Sequence, residues 1–313
     1  MTLDPDVTLV LDMIRLAGRP PFEQITPDEA REAYMKSRAV LQPEPEAVGE
    51  VRALDAPGPH GPIPLRLYRP AQAAAGPLPA LVYYHGGGWL LGGLDSHDVV
   101  CRRFANAAGC VVVSVDYRMA PEHKFPAAVD DSAAATRFVI AQAADLGIDA
   151  GRVAVGGDSA GGNLAAVMAL MARDGDLPPL AFQLLIYPAT DMAMTTISSQ
   201  TITSGVPLTS GTMKWFIDHY MQNDADRIDW RASPIRVASV AGTAPALVLT
   251  AAVDPLRDEG LAYAARLERE GVRVTGVHLS DQIHGFLSMG RVIRAADTAI
   301  DMMAVVLRRA LTG

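Results

Sequence analysis

The order of apolar and polar positions divides the chain into three kinds of segment. The first has helical spacing. Asp4 and Pro5 stand as a cap before a stretch that places Leu9, Met13 and Leu16 on one face and closes at Gly18. A second such stretch follows, with Thr26 as N-cap, Pro27 in the first turn and Glu29 three residues after Thr26, the spacing of a capping box. Prolines then dominate from Pro43 to Gly61 and mark a connection.

The second kind is the short β-rich run. "EVRALDAPG" and "IPLRLYRP" read as an antiparallel hairpin. "ALVYYHG", "CVVVSVDYR", "RVAVGGDS", "AFQLLIYP", "PALVLTAAVD" and "VRVTGVHL" follow, separated by segments long enough for helices. Continuous apolar strands with helical crossovers predict a mainly parallel sheet covered on both faces, an α/β fold.

The third kind breaks this rhythm. Between Ala189 and Ile228 the chain lacks strand alternation and is rich in Met, Thr and Ser. It reads as a helical excursion, with Met192, Met194, Met213, Trp215 and Phe216 supplying apolar surface. An excursion leaving the C-terminal end of a strand overhangs the place where open α/β sheets bind ligands. No internal repeat is present, and "AQAAAGPLP" reads as a surface loop.

Composition narrows the picture. With 313 residues, 50% of them hydrophobic and 20% charged, the chain can bury a large core. A net charge of −8 and scattered Lys and Arg give a nucleic-acid partner no electrostatic support. Cys101 and Cys110 form neither a zinc spacing nor a disulfide framework, and read as buried reduced thiols. The N-terminus has no signal-peptide pattern and no run approaches a membrane span, so a cytoplasmic protein is expected.

The candidate chemistry lies in "VAVGGDSAGGNLAAVMAL", 153–170, where Gly156, Gly157, Gly161 and Gly162 crowd Ser159 between a strand and a helix. A nucleophile elbow needs this arrangement: the turn is too tight for larger neighbours, and the hydroxyl stands exposed at a helix N-terminus. A serine needs a base, oriented by a third group. In sheet enzymes of this kind the order is serine, acid, histidine. His219, His278 and His284 follow Ser159. His219 lies in the excursion and His278 inside a strand, whereas His284 lies just beyond that strand, beside Gly285, and is taken as the base. Asp254 ends an apolar strand and is taken as the acid, although capping the next helix would also explain it. Asp258 and Glu259 read as first-turn charges, and Asp281 as solvent-facing.

Acyl transfer also requires donors for the oxyanion. "YYHGGGWLLGG", 83–93, follows a strand and offers consecutive glycine N–H groups, so Gly87 and Gly88 are candidate donors and Ala160, just after the serine, a third. A phosphate loop would need a lysine and a helix opening on the glycines. His85 has no cluster of partners for a metal.

"HGGGW" (85–89), "DYRMAPEHKFPAA" (116–128), "GDSAGGNL" (157–164), "DPLRDEG" (254–260) and "HGF" (284–286) together resemble the hormone-sensitive-lipase-like branch of the α/β-hydrolases, the bacterial family IV esterases. The resemblance spans about Pro64 to the C-terminus; Met119 stands where leucine is commoner. It implies an α/β-hydrolase domain over 46–189 and 231–313, with a cap built from 1–45 and 190–230. It also implies a triad of Ser159, Asp254 and His284, and oxyanion donors Gly87, Gly88 and Ala160. The implied activity is cofactor-free hydrolysis of short- to medium-chain acyl esters of small molecules through an acyl-enzyme, with no metal. Trp89, Tyr187, Met213 and Phe286 are candidate pocket residues, and Arg118 and Glu122 are read as internal ion-pairing or turn-fixing groups. Ester and amide substrates stay open, as does a homodimer, since edge-strand dimers occur in the family. Plant gibberellin receptors resemble the family but lack the catalytic histidine; here all three triad positions are filled.

Overall fold

The computed structural model describes residues 2–312. Eight strands form one sheet: β1 (Glu50–Gly58), β2 (Gly61–Arg69), β3 (Leu78–Tyr84), β4 (Val111–Val115), β5 (Ile148–Asp158), β6 (Phe182–Ile186), β7 (Ala246–Val253) and β8 (Val274–Ile283). Their spatial order is β1-β2-β4-β3-β5-β6-β7-β8. The β1–β2 hairpin joins antiparallel to β4, and every other pairing is parallel. Strands β3, β4 and β6 are buried along their whole length, as expected of parallel strands covered on both faces, whereas the edge strands β1 and β8 largely alternate half-buried and exposed positions.

The period of two in each strand makes two cores. Val82 and Tyr84 join the core under α4 (Ala127–Ala141), α5 (Ala160–Arg173) and α8 (Arg257–Arg269). Leu81 and Tyr83 face the other way, into the core under α3 (Asp98–Ala108) and α9 (Ala295–Thr312). Both cysteines are free and buried, and burial pushes the Cys110 thiol up to about 12.

The N-terminal segments fold as α1 (Pro5–Ala17) and α2 (Pro27–Leu41). The Asp4 cap, the Gly18 stop and the Thr26–Glu29 capping box all form. The buried face of α1 is not the one expected, however. Val7 and Val10 are buried, and Leu9 and Leu16 are exposed. The excursion holds α6 (Ile197–Thr201) and α7 (Ser210–Tyr220), joined by non-helical chain. Met192, Met213 and Phe216 are buried, and Met194 and Trp215 partly so. Residues 71–77 form an exposed loop.

The excursion packs against the N-terminal segment. Thr212 Oγ1 donates to Glu23 at 2.8 Å, and the Phe22 and Phe216 rings lie 6.4 Å apart. Among the described residues no helix is long and apolar enough to cross a membrane.

Candidate active site

Strands β3, β5, β7 and β8 run parallel, so the segments leaving their C-terminal ends emerge on one side of the sheet. Those segments carry the glycine loop, Ser159, Asp254 and His284. Ser159 follows β5 directly and has φ 58° and ψ −118°, a conformation that L residues rarely adopt. Its N–H donates to the Ile186 carbonyl at 2.8 Å, which ties the turn to β6. The neighbouring glycines are needed for space: a Cβ at Gly161, and likewise at Gly157, would collide with the Tyr84 carbonyl oxygen.

His284 lies at the end of β8, which runs four residues further than its apolar pattern suggested, through Ile283. Gly285 then turns the chain with φ 77°. The imidazole Nδ1 lies 2.7 Å from Asp254 Oδ2 and Nε2 lies 2.9 Å from Ser159 Oγ. A carboxylate only accepts, so Nδ1 carries the proton and the serine hydroxyl donates to Nε2. Asp254 is fully buried, and its Oδ1 accepts the Leu256 N–H at 2.8 Å. One Asp254 oxygen thus faces His284 and the other holds the turn before α8, whose N-cap position is occupied by Leu256 and not by Asp254.

The other candidates separate from this site. His278 is exposed and bonds Thr250 at 2.9 Å, and His219 bonds the Trp215 carbonyl on its own helix. Asp258 caps Ser198 at 2.8 Å, and Asp281 is half-buried, its carbonyl accepting the Asp4 N–H. Glu259 stands in the first turn of α8, as read from the sequence, but it is buried. It is 1% exposed, and Oε1 accepts from the N–H groups of Thr190 at 2.6 Å and Asp191 at 3.1 Å. Burial pushes its carboxyl up to about 8 despite those two donors.

The glycine loop after β3 folds back on itself, Leu91 N–H donating to the Gly87 carbonyl at 2.8 Å. Gly87 and Gly88 have φ 124° and 61°. Among the described residues no protein acceptor takes the N–H groups of Gly87, Gly88 or Ala160. All three residues line one cavity with Ser159 and His284. His85 stacks on Tyr117 at 4.3 Å, and burial pushes its imidazole down to about 3. Among the described residues no cluster of His, Cys, Asp or Glu is arranged to hold a metal.

A buried network behind this loop was not anticipated. Asp158 Oδ1 accepts from Tyr83 Oη at 2.8 Å and Gly86 N–H at 3.0 Å, and lies 3.1 Å from His97 Nε2. Burial by itself would raise the Asp158 carboxyl, but His97 and the two hydrogen bonds outweigh it and hold it at about 2. The signal available in sequence was a carboxylate beside the nucleophile, where a solvated side chain has no room.

The cavity has a volume of about 440 Å³ and draws its walls from α1, α2, the 206–216 segment and the loops of the sheet. Phe22, Tyr34, Leu208, Met213 and Phe216 make it largely apolar. Trp89 and Met213 line it, Trp89 being also stacked on Tyr220 at 4.6 Å. Tyr187 and Phe286 do not line it. They are buried behind the base, with the Tyr187 ring 4.6 Å from that of His284 and 6.0 Å from that of Phe286. Arg118 pairs with buried Asp131 at 2.8 Å, and Glu122 grips Arg31 of α2 at 2.6 Å and 2.8 Å. Both form ion pairs, but Glu122 does so at the surface and not internally.

Comparison with known proteins agrees with this geometry. The α/β-hydrolase fold family matches residues 81–288. An ethyl acetate hydrolase of Pseudomonas putida is 40% identical over 99% of this chain and 100% of its own. The carboxylic ester hydrolase LipN of Mycobacterium tuberculosis is 44% identical over 92% and 78% of the two chains. The crystal structure of an α/β-hydrolase enzyme from the Lake Arreo metagenome superposes with a TM-score of 0.95 at 43% identity, covering 98% of each chain. With its serine at the elbow and its glycine loop beside it, the chain belongs to the α/β-hydrolase fold family, among the hormone-sensitive-lipase-like esterases.

Proposed function

We propose that this serine carboxylesterase hydrolyses short- to medium-chain acyl esters of small alcohols through an acyl-enzyme. The hydrogen-bonded chain Ser159–His284–Asp254, opening on the 440 Å³ cavity, carries the reading. Ser159 Oγ attacks the ester carbonyl while His284 Nε2 takes its proton. Asp254 holds the imidazole by its Nδ1 proton and compensates the charge that the ring acquires. The oxyanion forms where the N–H groups of Gly87, Gly88 and Ala160 have no protein acceptor, and Ala160 is also the first residue of α5, whose dipole favours negative charge there. His284 then protonates the leaving alcohol, and water reverses the sequence to free the acid. No cofactor enters this scheme.

Residues 1–45 and 190–230 act as the cap over the catalytic domain of 46–189 and 231–313, and Met213 and Trp89 shape the pocket. The cavity falls in the range of small-molecule sites, about 300–1,000 Å³, which supports compact esters over triglycerides. The test is hydrolysis of p-nitrophenyl esters with acyl chains of two to about twelve carbons, by wild type and Ser159→Ala in parallel. Activity should peak at the shorter chains and fall on the order of 10⁶-fold in the variant. Folded wild-type protein without activity on any chain would refute the proposal.

A further inference from the structure

The cavity that holds Ser159 and His284 also holds a cation with no anion. Arg38 of α2 lines it, is 8% exposed, and has no carboxylate within ion-pairing distance among the described residues. Other arginines contrast with it: Arg31 pairs with Glu122, Arg66 with Asp95 and Arg118 with Asp131. Arg38 Nη1 donates to Ser288 Oγ, and its guanidinium carbon lies 4.4 Å from the centroid of the Tyr34 ring. Nε is buried and has no partner at all. Nη2 makes no hydrogen bond among the described residues, so the Nε/Nη2 edge of the fork is unused.

Burying a guanidinium without a counter-charge is costly, and an arginine so placed is commonly paired. The cavity offers it nothing. The lining has one carboxylate, Asp158, which is already engaged by Tyr83, Gly86 and His97. Arg19 adds a second lining cation, on the exposed side. Position links Arg38 to the chemistry. Ser288 Oγ donates on to the Gly285 carbonyl at 3.1 Å, and Gly285 directly follows His284.

We infer that Arg38 binds a carboxylate carried by the substrate, so that the site takes ester acids, molecules with one ester and one free carboxylate. This rests on the esterase reading above. With Nε buried and Nη1 on Ser288, Nη2 is the donor left for a carboxylate oxygen, in a charge-assisted hydrogen bond, and the stacked Tyr34 ring holds the guanidinium in place. The apolar walls bind the carbon chain between the two groups.

The experiment compares kcat and KM, by pH-stat titration, for the monoethyl and diethyl esters of succinate, glutarate and adipate. It uses wild type, Arg38→Met and Arg38→Lys. For at least one chain length, the preference for monoester over diester should fall tenfold or more in Arg38→Met, through KM, and be partly kept in Arg38→Lys. A purely structural role would lower activity on both esters alike and leave the ratio unchanged, which overturns the inference. So does wild type that cleaves diethyl esters and refuses every monoester. Wild type that cleaves neither defeats the esterase reading itself. Should Arg38→Met fail to fold, wild type alone decides: glutarate should compete with a neutral ester where glutaramide does not, and equal inhibition by both, or none by either, overturns the inference.

Discussion

Asp158 Oδ1 accepts the Gly86 N–H at 3.0 Å, so the residue before the nucleophile anchors the start of the glycine loop. The same carboxylate lies 3.1 Å from His97 and is largely buried, at the wall of the cavity. Serine and loop leave neighbouring strands β5 and β3, and this contact fixes their relative position. Asp158→Ala should lower kcat about 10²-fold with little change in KM, because the loop loses its register against Ser159. It should also cost about 3–5 kcal/mol of stability by stranding the partners of a buried charge, measurable by urea unfolding. The pH dependence has a definite sign. The folded-state carboxyl is held at about 2 against an ordinary 3.8, so its contribution is complete above pH 4 and lost as pH falls through 2. That loss amounts to roughly 2 kcal/mol. Asp158→Ala should therefore flatten the acid limb of the stability curve.

The sequence disclosed the site where chemistry dictates local pattern, and failed where burial depends on distant chain. Ser159 needs glycines on either side, Gly87 and Gly88 need open N–H groups, and His284 is separated from His219 by chain order and from His278 by lying beyond the strand. These constraints are all local. Asp158 and His97 lie 61 residues apart and meet only because β3 and β5 are neighbours. Glu259 looks like any acidic residue in a first turn until the segment at Thr190 folds over it. Leu9 and Leu16 follow helical spacing as faithfully as Val7 and Val10 do, and periodicity alone cannot choose between two such stripes. Tyr187 and Phe286 were read as pocket residues, but the sequence does not tell on which side of the His284 ring an aromatic lies, and both pack behind it.

Asp254 serves two partners, and its substitution separates them. Asp254→Asn keeps an oxygen for the Leu256 N–H and nearly the same volume, so the fold should survive. Its amide cannot serve His284 as a carboxylate does, and the imidazole loses both its orientation and its counter-charge. A fall in kcat of about 10⁴-fold is expected, with thermal stability changed far less. Steady-state kinetics on a short acyl ester, with a parallel melting curve, check both parts. Equal losses of stability and rate would make Asp254 a structural residue only.

Arg31 staples α2 to the loops below it. Its Nε donates to the Leu90 carbonyl at 3.1 Å, and Nη2 to the Ala120 carbonyl at 2.8 Å as well as to Glu122. Glu122 is half-exposed, so water replaces the arginine readily when only the acid is changed. Glu122→Gln should cost less than about 1 kcal/mol, whereas Arg31→Met strips two carbonyls of their donor and should cost about 1–3 kcal/mol. Because Leu90 belongs to the glycine loop, Arg31→Met should also lower kcat severalfold. Denaturant melts and kinetics on the two variants test the ordering, and the reverse order would place the strength of the staple in the ion pair.

Glu259 sets a limit on stability at alkaline pH. Its carboxyl sits at about 8 in the folded chain against an ordinary 4.5, burial being the main cause. The unfolded chain therefore releases this proton at lower pH than the folded chain does. Below pH 4.5 both states hold it and there is no penalty. Between 4.5 and 8 the folded state loses ground progressively, and above 8 the full penalty stands, up to about 5 kcal/mol. Glu259→Gln keeps an oxygen for the Thr190 and Asp191 N–H groups and removes the ionisation. The variant should match wild type within about 1 kcal/mol near pH 4.5 and exceed it by a few kcal/mol at pH 9. Urea unfolding at the two pH values decides it. A difference that stays constant with pH would mean that the carboxyl does not titrate between them.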